Sequence, residues 1–333
     1  MYASTPWTVA VVIPAYNAEA TIAETLASVG RQTHTSLEIL VVDDGSTDAT
    51  AAIVEAALRR DSRIRLLRQP NRGVASARNE GICATRASLI APCDADDVWH
   101  VTKIEKQLEA LQAAPPGTGL VYTWSASIDG NSRIVGLDFH ADHEGEVVRQ
   151  LALGNFLGNA SCALFTLEAF MSAGGYDTRL REGGAEGCED WRLYLAIASR
   201  HSFACVREYL TGYRVTDGNM SSRAAKMLMA HRVTADMIAA DDPGLRPLLD
   251  ESYAHALYGF YVRALRASDL RQAMRLLREL YGIDPQKAVA AALVAPRTIA
   301  ANGLGLSARQ ALRSRLGRAG QQEPALGSVF GKA

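Results

Sequence analysis

Short apolar runs recur along the first hundred residues, at 9–13, 37–42, 64–67 and 88–92. The run 9–13 is almost continuously apolar, which is typical of a central parallel strand covered on both faces. Between the runs, apolar residues recur at helical spacing, as Ile22, Leu26 and Val29 do. This alternation with short connections predicts a mainly parallel α/β sheet with right-handed crossovers.

Polar residues mark the predicted helix starts. Asn17 is a good N-cap for the first helix, and Asp48 for the second. Further helices are predicted over residues 74–85 and 102–113. The turn before the first helix contains no glycine, so it lacks the backbone cradle that a dinucleotide-binding domain offers a pyrophosphate. The phosphates of a bound nucleotide would have to be neutralised elsewhere.

The middle of the chain is less regular. Residues 119–128 and 162–165 predict strands, and 129–131 predicts a hairpin turn into 133–137. In the region 138–158, four side chains fit either a metal site or, as we favour, a solvated loop; they are His140, Asp142, His143 and Glu144.

A glycine-rich acidic segment, 181–188, is predicted to be mobile and poorly packed. It leads to Asp190 at the head of a helix whose Trp191, Leu195 and Ala198 share a face. A carboxylate there is also the usual way to satisfy a helix N-terminus, so a cap is the alternative to a functional role.

From about residue 224 the sequence becomes rich in alanine, leucine and arginine, with helical periodicity. Between 297 and 318 it has no acidic residue and five arginines, namely Arg297, Arg309, Arg313, Arg315 and Arg318. Such a segment could touch anionic lipid headgroups, although an ordinary solvated helix is the interpretation we favour. The last residues, 319–333, are predicted to be disordered.

Composition narrows the class of protein. The chain has 333 residues, a formal net charge of −1 and a pI near 6.7, which argues against a nucleic-acid binder. Its five cysteines include no Cys-x-x-Cys pair and are odd in number, which indicates reduced thiols. The N-terminus has no signal-peptide pattern, and no apolar run approaches the roughly 20 residues that cross a bilayer. We expect a cytoplasmic protein, with peripheral contact at the inner face of the membrane as the alternative.

The run 88–92 ends in three carboxylates within four residues, Asp94, Asp96 and Asp97. Like charges this close repel one another, and a bound cation would neutralise them. Oxygen ligands favour Mg²⁺ or Mn²⁺ over zinc. Since ligands of α/β proteins sit at the carboxyl ends of strands, this is the candidate site. The alternative is a polar turn in which Asp97 caps the next helix.

Taken together, these segments resemble family 2 glycosyltransferases of the GT-A fold over residues 8–222. The matching segments are 11–17 (VVIPAYN), 41–48 (VVDDGSTD), 71–79 (NRGVASARN), 94–99 (DADDVW), 103–107 (KIEKQ), 174–177 (GGYD), 189–191 (EDW) and 213–214 (YR). The resemblance implies a Rossmann-like GT-A domain over 1–222, with a nucleotide-sugar half at 8–128 and an acceptor half at 129–222. A helical region at 223–318 and a tail at 319–333 would follow.

The resemblance also implies roles for individual residues. The nucleoside pocket would be lined by Pro14, Tyr16, Asn17 and Asp44, with the Asp44 carboxylate accepting the imide N–H of uracil. Simpler alternatives remain: Tyr16 as a core residue, Asp43 as a brace of its turn, and Asp48 as a cap only.

For the diphosphate, the resemblance implies that Asp94 faces the ribose and the metal, and that Asp96 holds the divalent ion. Arg78 would add a cation near the phosphates, Asn79 would shape that turn, and Asp190 would be the general base.

The implied reaction is inverting transfer of one sugar from a nucleoside-diphosphate sugar, preferably a UDP-sugar, to a hydroxyl of a glycan or lipid-linked acceptor. Two departures from the family pattern are Val101, where many relatives have proline, and Thr216, where histidine often follows Tyr-Arg. The Gln-x-x-Arg-Trp signature of processive synthases is absent. The alternatives are a sugar nucleotidyltransferase and a non-catalytic nucleotide-sugar-binding protein.

Overall fold

The computed structural model describes residues 7–216 and 224–302. These two stretches belong to two compact units that divide after Arg223. The predicted tail 319–333 and the arginines 309, 313, 315 and 318 lie outside the described residues, as do residues 217–223. The predictions made for them therefore stay predictions.

The first unit is built on one mixed sheet with the strand order β3-β2-β1-β4-β8-β6-β9-β5, and β7 pairs with β6. The strands β3, β2, β1 and β4 are parallel, β8 runs antiparallel to both of its neighbours, and β6 is parallel to β9. The strands are β1 (Val9–Ala15), β2 (Leu37–Asp43), β3 (Ile64–Arg68), β4 (Leu89–Pro92), β5 (Val98–Trp99), β6 (Thr118–Ile128), β7 (Ile134–Phe139), β8 (Ala163–Thr166) and β9 (Ser202–Arg214).

Helices connect these strands; α1 to α4 and α8 were predicted from the periodicity, whereas the short helices α5, α6 and α7 were not. They are α1 (Ile22–Gly30), α2 (Thr50–Leu58), α3 (Val74–Cys83), α4 (Lys103–Ala113), α5 (Val148–Leu153), α6 (Leu167–Ser172), α7 (Arg179–Glu182) and α8 (Glu189–Ala198). Every residue of β1 is buried, as expected for a strand with helices on both faces. In α3, a Cβ on Gly81 would lie 2.5 Å from a methyl group of Val12, so glycine is what allows this helix to pack directly on β1.

The longest strand, β9, is one that the sequence pattern did not predict. Arg207 and Glu208 interrupt its apolar pattern, and both are exposed. The strand pairs with β6 in parallel through register shifts around Thr123 and Trp124. Irregular pairing with a partner that is distant in the sequence leaves no simple alternation to read.

The described residues of the second unit, 224–302, form helices and short turns, as predicted. It consists of α9 (Ala224–Asp241), a 3-10 turn (Pro243–Leu245), α10 (Arg246–Arg266), α11 (Leu270–Ile283) and α12 (Pro285–Asn302). Its core brings together buried side chains that include Leu228, Leu257, Leu276 and Leu280. In neither described stretch is a helix both long and apolar enough to span a membrane.

Candidate active site

The turn after β1 differs from the prediction in two respects, the exposure of Tyr16 and the role of Asn17. Pro14 is buried inside β1 opposite Val42, whereas Tyr16 is 53% exposed, so Tyr16 is not a core residue. Asn17 does not cap α1, which begins at Ile22 after Thr21. Instead Asn17 adopts a left-handed backbone conformation (φ 48°), and its side-chain oxygen accepts the Thr47 N–H at 2.9 Å. The prediction of an N-cap was wrong because the carboxamide ties this turn to the loop after β2 rather than to its own helix.

Asp44 is buried just beyond β2, and the protein itself supplies three of its hydrogen bonds. One oxygen accepts the Gln69 side-chain N–H at 2.6 Å and the Arg72 backbone N–H at 2.8 Å, and the other accepts the Gly73 N–H at 2.8 Å. A carboxylate can accept about four hydrogen bonds, so one position remains. Asp44 thus shapes the loop 71–73 and retains capacity for a single outside donor.

The neighbouring acidic residues are structural. Asp43 accepts the Ser46 N–H at 3.0 Å and braces its turn. Asp48 accepts the N–H of Thr50 at 2.9 Å and that of Glu19 at 3.1 Å. Asp48 therefore accepts a hydrogen bond from the first turn of α2, although it lies one residue before the N-cap residue, Ala49.

Asp97 is completely buried and does not cap the next helix, which begins at Lys103. Its carboxylate accepts the Ser161 hydroxyl at 2.5 Å and the Arg214 backbone N–H at 2.9 Å. Burial, together with the charges of Asp96 and Asp94, raises the pKa of Asp97. The alternative role as a cap was wrong: Asp97 anchors the turn 94–97, the acidic turn, to β9.

Arg214 is fully buried at the end of β9 and forms hydrogen bonds to the backbone of the acidic turn. Its guanidinium donates to the backbone oxygens of Asp96 at 2.6 Å and Asp129 at 2.8 Å, and to the Glu24 carboxylate at 2.9 Å. These contacts fix the backbone of Asp96, and the charge of Arg214 also lowers the pKa of the Asp96 carboxyl group.

The side chains of Asp94 and Asp96 remain partly accessible. The Asp96 carboxylate receives no hydrogen bond from any other described residue, and burial together with the charge of Asp94 raises its pKa to about 6. A divalent ion would relieve this repulsion. No cluster of three or more metal-ligating side chains exists in the described part of the chain. Two carboxylates suffice for Mg²⁺ or Mn²⁺ when substrate phosphates and water complete the shell, so the pair fits such an ion.

Arg78, on α3, lies buried between the acidic turn and the candidate base. Its guanidinium pairs with Asp94 at 2.5 Å and lies 5.2 Å from the centre of the Tyr176 ring. Burial alone would lower the pKa of Arg78, but the charges of Asp94, Tyr176 and Asp190 raise it, so the cation is retained. Its Nε and the Tyr176 hydroxyl are both buried without a hydrogen-bond partner in the described residues.

Asn79, next to Arg78, was expected to shape the turn beside the phosphates. Its carboxamide instead donates to the Tyr176 carbonyl at 2.8 Å and accepts the Tyr176 N–H at 3.0 Å. Asn79 therefore fixes the 174–177 turn, and with it the ring that faces Arg78.

Asp190 lies in the first turn of α8. One carboxylate oxygen accepts the Trp191 N–H at 2.7 Å, and the other accepts the Asn155 side-chain N–H at 3.2 Å. Burial raises the pKa of Asp190, Arg78 opposes this, and the charge of Asp94 adds to it. The charges of both Arg78 and Asp94 thus act on the Asp190 carboxyl group.

The segment 181–188 is better packed than predicted. Ala185 is fully buried and its N–H donates to the Leu180 carbonyl at 2.7 Å. Arg181 donates to the Asn71 side chain at 2.6 Å, and the Glu189 carboxylate accepts the Gly187 N–H at 2.9 Å. These contacts fasten the segment to the loop 71–73 and to α8, so the prediction of a poorly packed loop was wrong.

The region around His140 is attached to the sheet by other contacts. The Ala141 carbonyl accepts the Trp124 indole N–H at 2.9 Å, and Glu144 pairs with Arg207 at 2.6 Å. The region therefore lies against β6 and β9. All five cysteines are free thiols, as predicted.

Sequence reasoning missed Ser161, Asn155, Arg214 and Gln69 as supports of the site. Each is an ordinary polar residue in the sequence, and its role arises from a partner that lies far away along the chain. Only Arg214 carried a signal, since it belongs to the Tyr213-Arg214 segment of the resemblance.

Comparison with known proteins defines the family. A family model described as glycosyl transferase family 2 matches residues 10–170. The succinoglycan biosynthesis protein ExoO of Rhizobium meliloti is 30% identical over 315 residues, which cover 90% of this chain and 84% of that protein. The chain therefore belongs to glycosyltransferase family 2, and the predicted resemblance is confirmed. The chain spans about a third of the length of the first curated relatives that it matches.

Solved structures confirm the GT-A fold. S. aureus TarS 1–349 in complex with UDP-GlcNAc superposes with a TM-score of 0.60 at 17% identity, covering 93% of this chain and 92% of that one. The mannosyltransferase PcManGT from Pyrobaculum calidifontis, in complex with GDP-Man and Mn²⁺, gives a TM-score of 0.59 at 19% identity, covering 98% and 83%. At these identities the likeness shows the fold alone.

Proposed function

We propose that this protein is an inverting glycosyltransferase that moves a single sugar from a nucleoside-diphosphate sugar to a hydroxyl of a glycan or lipid-linked acceptor. The observation that carries the proposal is the buried Arg78 guanidinium, which pairs with Asp94 at 2.5 Å and interacts electrostatically with Asp190. It connects a pair of carboxylates suited to a metal, Asp94 and Asp96, with a buried carboxylate suited to a base. The names of ExoO and other relatives support a place in polysaccharide biosynthesis.

Tyr16, Asn17 and Asp44 would receive the nucleoside. The exposed Tyr16 ring offers a surface for the base, and Asp44 retains one acceptor position for an imide N–H. We propose uracil as the base, as the family resemblance implies. The structural relatives carry UDP-GlcNAc in one case and GDP-Man in the other, so the base is a point to test.

Asp96 and Asp94 would hold Mg²⁺ or Mn²⁺, and the metal would supply charge neutralisation for the leaving diphosphate. The Mn²⁺ in the PcManGT complex supports this choice of ion. If Asp94 held the metal, Arg78 would lose its ion-pair partner and would be available to the diphosphate. Its Nε already lacks a partner in the described residues, so a phosphate oxygen would satisfy it.

Asp190 would accept the proton of the acceptor hydroxyl. Its raised pKa makes it a stronger base than an ordinary aspartate, while the Trp191 and Asn155 N–H groups fix its orientation. Attack from the face opposite the leaving diphosphate would invert the anomeric centre.

The side of the site beyond Asn155 is aromatic, which favours a sugar acceptor. Asn155 also accepts the Gly158 N–H at 3.3 Å, and the Phe139 ring packs against Gly158 so closely that a Cβ there would lie 2.2 Å from it. Phe139 meets Tyr213 edge to face, with 6.0 Å between the ring centres. Aromatic rings present flat apolar surfaces of the kind that sugar C–H faces contact.

We further propose that the enzyme acts in the cytoplasm, which the five free cysteines support. Peripheral contact with the inner membrane face through residues 297–318 belongs to the same proposal, and its test is a truncation before Arg297 followed by sedimentation with anionic vesicles.

The proposal is tested by incubating the protein with UDP-, GDP- and dTDP-sugars, with and without Mn²⁺. Metal-dependent release of nucleoside diphosphate is the expected result, and UDP should raise the melting temperature most. Formation of nucleoside triphosphate on adding pyrophosphate would indicate a nucleotidyltransferase instead. Binding without turnover across a panel of sugar acceptors would indicate a non-catalytic binding protein.

A further inference from the structure

The helix α11 of the second unit carries an exposed apolar stripe. Leu270, Met274 and Tyr281 are 56%, 61% and 59% exposed. At 3.6 residues per turn, the three lie within about 40° of one another around the helix. The buried residues of α11, Ala273, Leu276 and Leu280, are centred about 110° around the helix from the stripe, so the stripe is not the core-facing side.

Three arginines follow the same helix beside the stripe. Arg271, Arg275 and Arg278 are all exposed, and Glu279 is the single acidic residue of α11. In the described part of the chain, none of the three makes a salt bridge. The surface of α11 therefore combines apolar side chains with cations that no carboxylate of the described residues pairs with.

Arg271 and Arg275 also border a groove of about 610 Å³, which is lined in addition by Arg232 of α9. The floor of the groove is apolar, with Leu228, Tyr253 and Leu276. Both of its carboxylates are engaged within the fold. Asp269 accepts the Gln272 N–H at 3.0 Å and so caps α11, and Glu279 accepts the Tyr253 hydroxyl at 2.7 Å.

We propose that α11 is a membrane-docking surface, with the stripe Leu270, Met274 and Tyr281 entering the headgroup layer and the arginines of the groove binding lipid phosphates. An amphipathic helix with arginines beside an exposed apolar face is the pattern of interfacial binding. Charge complementarity favours an anionic lipid surface over the chain's own C-terminal residues, because residues 303–333 contain five basic residues and one acidic residue. The proposal is independent of the glycosyl-transfer reaction.

The test is flotation of the full chain with two kinds of vesicle, one of phosphatidylcholine alone and one that also contains anionic phosphatidylglycerol. The wild type should bind only the anionic vesicles, and binding should weaken as salt is raised. Arg271→Gln with Arg275→Gln should weaken binding by roughly 30-fold. Leu270→Ser with Met274→Ser should weaken it at every salt concentration. Donor hydrolysis should be unchanged in both variants.

The matched control is Arg59→Gln with Arg60→Gln, which removes the same charge from two exposed arginines of the first unit. It should bind vesicles as the wild type does. An equal loss in this control would show that net charge alone drives binding and would overturn the proposal. So would a wild type that ignores anionic vesicles, or a Leu270→Ser, Met274→Ser variant that binds vesicles normally but changes its oligomeric state in sedimentation velocity.

Discussion

Three aspartates within four residues have three different environments. Asp97 is fully buried and hydrogen-bonded to Ser161 and Arg214, Asp94 pairs with Arg78, and Asp96 receives no hydrogen bond from another described residue. The chemistry of a carboxylate therefore depends on which donors the fold places around it. Asp97 is part of the scaffold, whereas the carboxylate of Asp96 receives no hydrogen bond from any other described residue.

The first prediction compares two neighbouring substitutions. Asp96→Ala should abolish Mn²⁺-dependent UDP binding in calorimetry and leave the melting temperature close to that of the wild type. Asp97→Ala should lower the free energy of unfolding by about 2–4 kcal/mol, because the buried Arg214 N–H loses its acceptor and a cavity forms. Unchanged metal-dependent UDP affinity in Asp96→Ala would remove Asp96 from the metal site.

The second prediction concerns Asp190. Asp190→Asn cannot take a proton, so transfer should fall by about 10²–10⁴-fold while UDP affinity stays near that of the wild type. The free energy of unfolding should fall by about 1 kcal/mol. The carboxylate accepts hydrogen bonds from the N–H groups of Trp191 and Asn155, and the new NH₂ group would face one of these donors. Because burial raises the pKa of Asp190, wild-type activity should be lost as pH falls through a value above the ordinary 3.8, and the variant's residual activity should lack this limb.

Glu189→Gln is the matched control for Asp190→Asn. It keeps an oxygen for the Gly187 N–H and should transfer sugar at the wild-type rate. If Glu189→Gln is the variant that loses activity, Glu189 is the base and Asp190 is a helix cap.

At the scale of elements, the start of α4 carries a fully buried lysine, Lys103. The Lys103 ammonium donates to the Gln107 side chain at 2.7 Å and lies 4.1 Å from the centre of the Trp99 ring. Burial lowers the pKa of Lys103 to about 7. Lys103 therefore loses its proton near neutral pH in the folded chain, although the Trp99 ring favours the charged form.

The third prediction follows from this shift. The unfolded chain binds more protons at Lys103 than the folded chain between about pH 7 and pH 10, so this residue makes the protein more stable as pH rises through that window. Lys103→Met removes the effect. In urea unfolding, the stability of the wild type relative to Lys103→Met should rise by on the order of 2 kcal/mol between pH 7 and pH 9. Lys106→Met, which breaks a solvent-accessible ion pair between the same helix and Glu208 of β9, should show no such pH dependence.

At the scale of the whole first unit, the Arg214 side chain forms hydrogen bonds that connect elements from the beginning, the middle and the end of this unit. It connects the end of β9 with Glu24 in α1, the Asp96 backbone after β4 and the Asp129 backbone after β6. Since these contacts span up to 190 residues of sequence, the acidic turn takes its final shape only when β9 has joined the sheet.

The fourth prediction is that Arg214→Lys lowers the free energy of unfolding by roughly 2–3 kcal/mol, because a single ammonium cannot replace a guanidinium that serves several acceptors. Arg207→Lys on the same strand is the control. Its exposed ion pair with Glu144 should make the change worth less than about 0.5 kcal/mol in the same denaturant titration. Equal effects of the two substitutions would show that burial of Arg214 contributes nothing.

The sequence by itself determined the features that repeat locally. Apolar runs and helical spacing predicted β1 to β4, α1 to α4 and the helical second unit, because side-chain periodicity follows directly from strand and helix geometry. The acidic cluster at the end of β4 marked the site because strand ends in α/β sheets gather at one edge. The matching segments, in order along the chain, were enough to identify family 2.

Only the tertiary structure decided which polar side chains are held by distant partners and which remain accessible. Whether Asp96 or Asp97 faces solvent depends on Ser161 and on Arg214, and both lie far from the acidic turn in the sequence. Asn17 joins a turn instead of a helix because its oxygen finds Thr47, and the glycine-rich segment is held because Arg181 reaches Asn71. Hydrogen bonds between distant residues leave no periodic trace in the sequence, so only the folded chain distinguishes a carboxylate of the scaffold from one that is available for chemistry.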